Sequence, residues 1–405
     1  MKTRTPSDLA GLPDGSMVSV GGRARWVRQG DARFIHLFDA LASVATNLTD
    51  SSSTSPPVEE GSLVVVDGEL VRSGASLELG GCRVLEVTSA RGDRSEDVRR
   101  LLDGGVGRHL AQRARALAVV REHFASEGFL EVETPVVLPS PGLDLHLGAF
   151  EVKTPAGIRY LSTSPEYQMK RLLVGGIPRC FQFARCFRRD ESGVHHNAEF
   201  TMLEWYRAFA GIDEVIDDTE AIIAGVIRRL AEPSTPPQGS PLDLARPFER
   251  ISVAAAFERF VGVGEGAMLA MASDDPEAFF RAMVERVEPA IAALPRPIVL
   301  WRYPRPMASL ARLCPDDPRY AERFEVYARG IELCNGFGEL TDPVEQRERF
   351  VRDQTEREAA GVPVYPIDER FVEALAEGMP RSAGNALGFD RLVMLATRAE
   401  AIDDV

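Results

Sequence analysis

Apolar and polar residues change rhythm along this chain. Over residues 17–87 they alternate in short runs: "MVSVGGRARWV", "RFIHLFD", "SVATNL", "SLVVVDGELV" and "SLELGGCRVLEV". Alternation with period two sends successive side chains to opposite faces of a strand, so the segment predicts five short strands closing into a small β-barrel. The Ser/Pro-rich loop "TDSSSTSPPVEEG" separates the third strand from the fourth. Beyond a linker over 93–107 the period lengthens. Leu110, Ala114, Leu117, Val120 and Phe124 recur at helical spacing over 109–127, and Gly128 closes the helix. The strand "FLEVETPVV" follows, then strands and helices in turn, a Pro-rich loop at 233–247, and a strand-rich block over 298–341. "GNALGFDRLVML" ends the pattern as a glycine-marked strand entering a helix. The expectation is an α+β chain with a mostly antiparallel sheet, divided into a barrel over 1–92, the linker, and a larger domain over 108–405.

Composition narrows the classes of function. The 405 residues are 44% hydrophobic and 27% charged, ordinary globular values. No apolar run is long enough for a bilayer span, and "MKTRTPSDLAGLPDGS" lacks the apolar core of a signal peptide, so a cytoplasmic protein is expected. Five scattered cysteines and six histidines form no ligand spacing, which argues against a structural zinc or a disulfide framework. A net charge of −14 offers no general basic face for nucleic acid. Residues 1–92 carry nine Lys/Arg against eleven Asp/Glu.

Four segments carry chemistry. In "EFTMLEWY" alternation puts Phe200, Met202, Glu204 and Tyr206 on one face, which suits a planar ring at one end and an ammonium at the other. In "CFQFARCFR" the residues Gln182, Ala184, Cys186 and Arg188 share a face, and Arg188 joins the same cavity if the strands pair through loop 189–198. "FEVYARGIELCNGFGEL" folds about a two-residue turn at Arg329–Gly330, pairing Tyr327 with Glu332 and Val326 with Leu333. Glu325 and Glu332 then face one way, as oxygen ligands for Mg²⁺ on nucleotide phosphates. Asn335 and Glu339 fall off that alternation, so a bulge is expected at Gly336. Arg391, near the helix start in "GNALGFDRLVML", suits phosphate. Ser164 before Pro165 reads as a helix N-cap, with Glu166 favouring the helix dipole.

Together these segments resemble the signature set of the class II aminoacyl-tRNA synthetases, over roughly 108–405. "GFLEVETP" resembles motif 1, "FRRDESGVHHNAEF" motif 2 and "GFDR" motif 3. "SPEYQMKRLLVGG", "EFTMLEWY" and "NGFGELTD" are similar to the lysyl group, and closer still to its paralogues that modify elongation factor P. That resemblance implies an α+β catalytic domain, an antiparallel sheet flanked by helices, behind an OB-like barrel. It implies a homodimer that uses ATP and Mg²⁺ and no membrane. Its partners would be lysine or β-lysine and elongation factor P, with tRNA as acceptor in the alternative reading. Ser164 and Ala386 stand where lysyl-tRNA synthetases usually have alanine and glycine, a change associated with β-lysine.

Residue roles follow from the resemblance alone. Arg188 would grip the amino-acid carboxylate and the α-phosphate, Phe200 would stack on adenine, and Arg391 would cover its other face and the γ-phosphate. Glu325 and Glu332 would hold Mg²⁺, and Glu332 would also border the ATP. Glu166 would take the amine nearer the carboxylate, Glu204, Tyr206 and Glu339 the side-chain ammonium, and Asn335 the carboxylate. Asp190, His195, His196 and Asn197 would lie along the ATP. Asp190 stands where the family has Glu, His195 where it often has Arg, and Ala198 where it has Pro. Grip on the γ-phosphate from the loop would then be weaker or come from Arg189.

Overall fold

The computed structural model describes residues 2–29, 32–49, 58–74, 76–89, 95–145, 147–231 and 242–405. Most of the Ser/Pro-rich loop, the first residues of the expected linker and much of the Pro-rich loop at 233–247 lie outside the described residues. Contacts divide the chain into two compact units, Met1–Gln112 and Arg113–Val405.

The first unit contains β1 (Thr3–Arg4), β2 (Met17–Gln29), β3 (Ala32–Phe38), β4 (Ser43–Thr49), β5 (Leu63–Ser73), β6 (Ser76–Thr88) and α1 (Glu96–Leu102). Strand β2 pairs with both β3 and β5, while β4 runs parallel to β6, so the five long strands close into a barrel of OB-like topology. Val20, Ala24, Ile35, Leu37, Val66 and Leu70 fill its interior with no exposed surface. On β3 Ile35 and Leu37 are fully buried, and alternation turns Phe34 and His36 to the other face, where both are half-buried and Phe38 at the strand end is buried.

The helix α2 (Val106–Ser126) buries Ala116, Val120 and Phe124 completely, a stripe at four-residue spacing. Leu110 and Ala114 are exposed, so the apolar face is displaced from the predicted stripe. After α2 come β7 (Leu130–Glu131), β8 (Val137–Leu138), β9 (Glu151–Thr154), β10 (Gly157–Leu161), α3 (Glu166–Val174), β11 (Arg179–Phe187), β12 (Glu199–Ala208) and α4 (Ile212–Leu230). Strand β13 (Glu249–Ser252) leads into the short helices α5 (Val253–Ala256), α6 (Glu265–Asp274), α7 (Pro276–Ala282) and α8 (Glu288–Ala292). The chain closes with β14 (Ile298–Pro304), β15 (Tyr320–Ala328), β16 (Ile331–Gly338), α9 (Pro343–Ala359), α10 (Glu369–Gly378), β17 (Ser382–Gly388) and α11 (Phe389–Thr397).

Eight strands form one sheet in the order β13-β14-β15-β16-β17-β12-β11-β7, antiparallel except at its two edges. One face packs on α2, α4 and α11 through Phe124, Trp205, Ile223, Leu387 and Leu392. The other face is where the polar residues of these strands gather. Arg329 and Gly330 have φ of 52° and 78°, the type I′ geometry that matches hairpin twist. Tyr327 pairs with Glu332 as expected, but Val326 pairs with Cys334. The bulge is therefore at Leu333, not at Gly336. One extra residue there reverses the alternation, so Glu332, Asn335, Phe337 and Glu339 share the face that carries Glu325.

Candidate active site

Register aligns the polar face. Glu325, Asn335, Ala386, Glu204 and Gln182 are opposite one another in sequence across β15, β16, β17, β12 and β11. A neighbouring row joins Phe337, Gly384, Tyr206 and Cys180. Gly384 is required there, because a Cβ would come within 2.3 Å of the Tyr206 ring. Over these rows lies a cavity of about 310 Å³, lined among others by Ser164, Glu166, Arg188, Phe200, Asn335 and Ala386.

At one end of the cavity sits a buried acidic layer. Ser164 ends the segment before α3, and its hydroxyl accepts the Glu166 N–H at 3.2 Å while donating to Glu204 Oε2 at 2.9 Å. The cap position of α3 is Pro165 and not Ser164, one residue later than expected, so the Ser164 hydroxyl lies just ahead of the helix, where it bonds the Glu166 N–H and reaches the sheet. Tyr206 donates to Glu204 Oε1 at 2.6 Å. Ala386 lies directly opposite Glu204 on β17. Ser164 and Ala386, singled out in the sequence, thus converge on one carboxyl. Burial, and then the nearby Glu166, push Glu204 up to about 8. Glu339 is fully buried, pushed up to about 7 by burial, and its Oε1 has no hydrogen-bond partner.

Between Glu166 and Glu339 lies Lys170, with Nζ 2.5 Å from a carboxylate oxygen of each. Burial disfavours its charge, yet the two carboxylates outweigh that and hold its pKa above the usual lysine value. The sequence reading passed over Lys170, although its i, i+4 spacing from Glu166 was a visible signal.

The other end of the cavity is cationic. Arg188 stacks over the Phe200 ring with its guanidinium carbon 5.1 Å from the centroid, and donates to Glu191 at 3.0 Å. Glu191 lines the cavity, whereas Asp190 is an exposed partner of Arg189 and is not on the cavity wall. Glu191 is a second residue that sequence reasoning set aside. Arg391 at the start of α11 donates to the backbone carbonyls of His195 and Glu332 and contacts His196 Nε2 at 2.6 Å. Burial, and then Arg391, lower the pKa of His196, which leaves a neutral ring able to accept from the guanidinium. Asn197, His195 and His196 all border the cavity.

Glu325 accepts from Tyr303 and Tyr327 at 2.6 and 2.7 Å, and from Arg323 at 2.7 Å. Arg323 also donates to Asn335 Oδ1 at 3.2 Å, so it sets both side chains at once. Partial desolvation of the part-exposed Glu332, and then Glu325, push its carboxyl up to about 7, and a cation between the two carboxylates would relieve that repulsion. An all-oxygen pair of this kind fits Mg²⁺, which binds through one or two carboxylates with phosphates completing its shell. Among the described residues no group of three or more His, Cys, Asp or Glu could hold a metal unaided.

A buried acidic layer, a guanidinium stacked on an aromatic ring and a second guanidinium at a helix start are joined by one antiparallel sheet. The comparison with known families gives this arrangement its class. Residues 95–405 match the family described as tRNA synthetases class II (D, K and N), and the chain belongs to that family. Among curated proteins it is similar to the elongation factor P–(R)-β-lysine ligase of Erwinia tasmaniensis, 43% identical, with 73% of this chain and 93% of that protein covered. The ligases of the same name from Proteus mirabilis and Haemophilus influenzae are 41% and 39% identical, over 93% and 94% of their lengths.

Proposed function

We propose that this chain is an ATP-dependent ligase that activates a lysine-type amino acid, (R)-β-lysine in first place, and transfers it to a lysine side chain of elongation factor P. The observation that carries this reading is the convergence of Ser164 and Ala386 on Glu204 at the acidic end of the cavity. The names of the relatives support it. The residues divide as follows. Glu204, Tyr206 and Glu339 receive the side-chain ammonium, Glu166 receives the second amine, and Asn335 orients the carboxylate. Arg188 leaves Glu191 to grip that carboxylate and the α-phosphate. Phe200 and Arg391 sandwich the adenine, with His195, His196 and Asn197 along the nucleotide.

A carboxylate oxygen of the amino acid attacks the α-phosphorus. A P–O bond forms, the bond to the β,γ-unit breaks, and pyrophosphate leaves. The amine of the acceptor lysine, having lost its proton to solvent, then attacks the activated carbonyl, and AMP departs as the amide forms. No side chain acts as nucleophile, so the protein contributes position and charge. Glu325 and Glu332 would hold Mg²⁺, which offsets phosphate charge when bound. Residues 1–92 would form the barrel domain, 93–107 the linker and 108–405 the catalytic domain of a cytoplasmic homodimer. The exposed Leu130, Val136 and Val137 after α2 are apolar surface suited to a dimer contact. With more acids than bases, the barrel offers no overall excess of positive charge for tRNA.

The test is mass spectrometry of purified elongation factor P after incubation with the protein, ATP and each lysine isomer, beside a tRNA-charging assay. A mass gain of one β-lysyl group is expected. Charged tRNA with unmodified factor would replace this reading.

A further inference from the structure

Lys170 does not border the cavity, yet it binds a residue that does. It lies one turn after Glu166 on α3 with no exposed surface, and its ammonium bridges Glu166 and Glu339. Among the described residues, Glu166, Glu204 and Glu339 make up the layer and Lys170 is the cation in contact with it, with Arg312 near Glu339 and the exposed Asp144 near Glu166. Glu204 has a neutral donor on each oxygen, and Glu339 keeps Oε1 without a partner. Two carboxylates confined without a cation repel and are costly to bury. With the cation between them they are held apart at a fixed spacing.

We propose that Lys170 is a positioning residue for amino-acid recognition: it neutralises one of three carboxylates, two of them buried and Glu166 on the cavity wall, so that the layer matches a substrate with two ammonium groups, and it holds Glu166 and Glu339 where those groups arrive. This rests on the reading that a diamino acid binds at the acidic end. Lys170 itself touches no reacting atom. Its effect passes through the two carboxylates, which makes it separable from a role in folding alone.

A double-mutant cycle with Lys170→Met, Glu339→Gln and the pair together tests this, read as pyrophosphate exchange with separate KM values for amino acid and ATP. Each single variant is expected to raise the amino-acid KM about 30-fold with the ATP KM unchanged, as for loss of one side of a buried charge pair. The double variant is expected to raise the amino-acid KM above that of Glu339→Gln but well short of the product of the two single effects, because the pair shares one bridge and only the Glu166 half is left to lose. Should Lys170→Met fail to fold, the double variant, which leaves no unpaired carboxylate at 339 and frees only the part-exposed Glu166, still permits comparison with Glu339→Gln. An unchanged amino-acid KM in Lys170→Met, equal effects on both substrates, or additive effects in the double variant would each overturn the proposal. Failure of the underlying reading shows elsewhere, as wild-type protein that exchanges pyrophosphate with no diamino acid.

Discussion

The two ends of the cavity solve opposite electrostatic problems. At the acidic end Glu204, Glu339 and Lys170 have at most 1% of their surface exposed, and the protein supplies its own cation. At the nucleotide end Arg188 and Arg391 remain part-exposed and rest on internal acceptors, the Glu191 carboxylate and the carbonyls of His195 and Glu332. A buried charge must be paired and fixed before the substrate arrives. A half-exposed guanidinium can exchange one partner for another at little cost. On the proposed reading, the acidic end would serve selection of the amino acid, and the cationic end would grip charge as it develops.

Glu332→Gln should strike hardest. It removes the carboxylate that shares charge with Glu325, and pyrophosphate exchange should fall by at least about 100-fold. Retained exchange would remove Glu332 from the metal pair. At the other end, Glu339→Gln should raise the amino-acid KM about 30-fold while leaving that of ATP alone. Equal loss on both substrates would erase the division between the two ends.

Ala386→Gly removes the methyl opposite Glu204, and α-lysine exchange should rise about tenfold relative to β-lysine, the scale of one methyl in a pocket. An unchanged ratio would mean that Ser164 alone, or neither position, selects the isomer.

The smallest effect is in pH. Glu204 and Glu339, pushed up to about 8 and about 7, carry protons near neutrality that a bound dication would displace. The amino-acid KM should therefore fall severalfold between pH 6 and pH 8, while the ATP KM moves less. In the free protein the sign for stability is opposite. Both groups hold protons that the unfolded chain, with carboxyls near 4.5, has released, so the folded state binds more protons between about 4.5 and 8. Their contribution to stability is present below that window and is lost as pH rises through it. Thermal melts that rise from pH 5 to 8 would contradict these shifts.

Much of this molecule was legible in its pattern. Period two along 17–87 marked the five barrel strands, and the same period in "EFTMLEWY" and "CFQFARCFR" put Met202 and Glu204 on one face and Gln182 and Ala184 on one face, while the register that sets them opposite one another came from the fold. The turn at Arg329–Gly330 followed from local backbone preference. Whether a half-apolar stripe faces inward was less legible. Phe34 and Ile35 compete for the barrel interior, and only the closed register gives it to Ile35.

By itself the sequence determined the order of elements, the family and the residue types at the site, because those depend on spacing within a few residues. The position of the bulge, the choice of Glu191 over Asp190 beside Arg188, and the seat of Lys170 between two carboxylates were decided only by the tertiary structure. Each depends on which groups from distant segments must satisfy one another once water is gone. That balance is a property of the packed site and is not carried by any local stretch of chain.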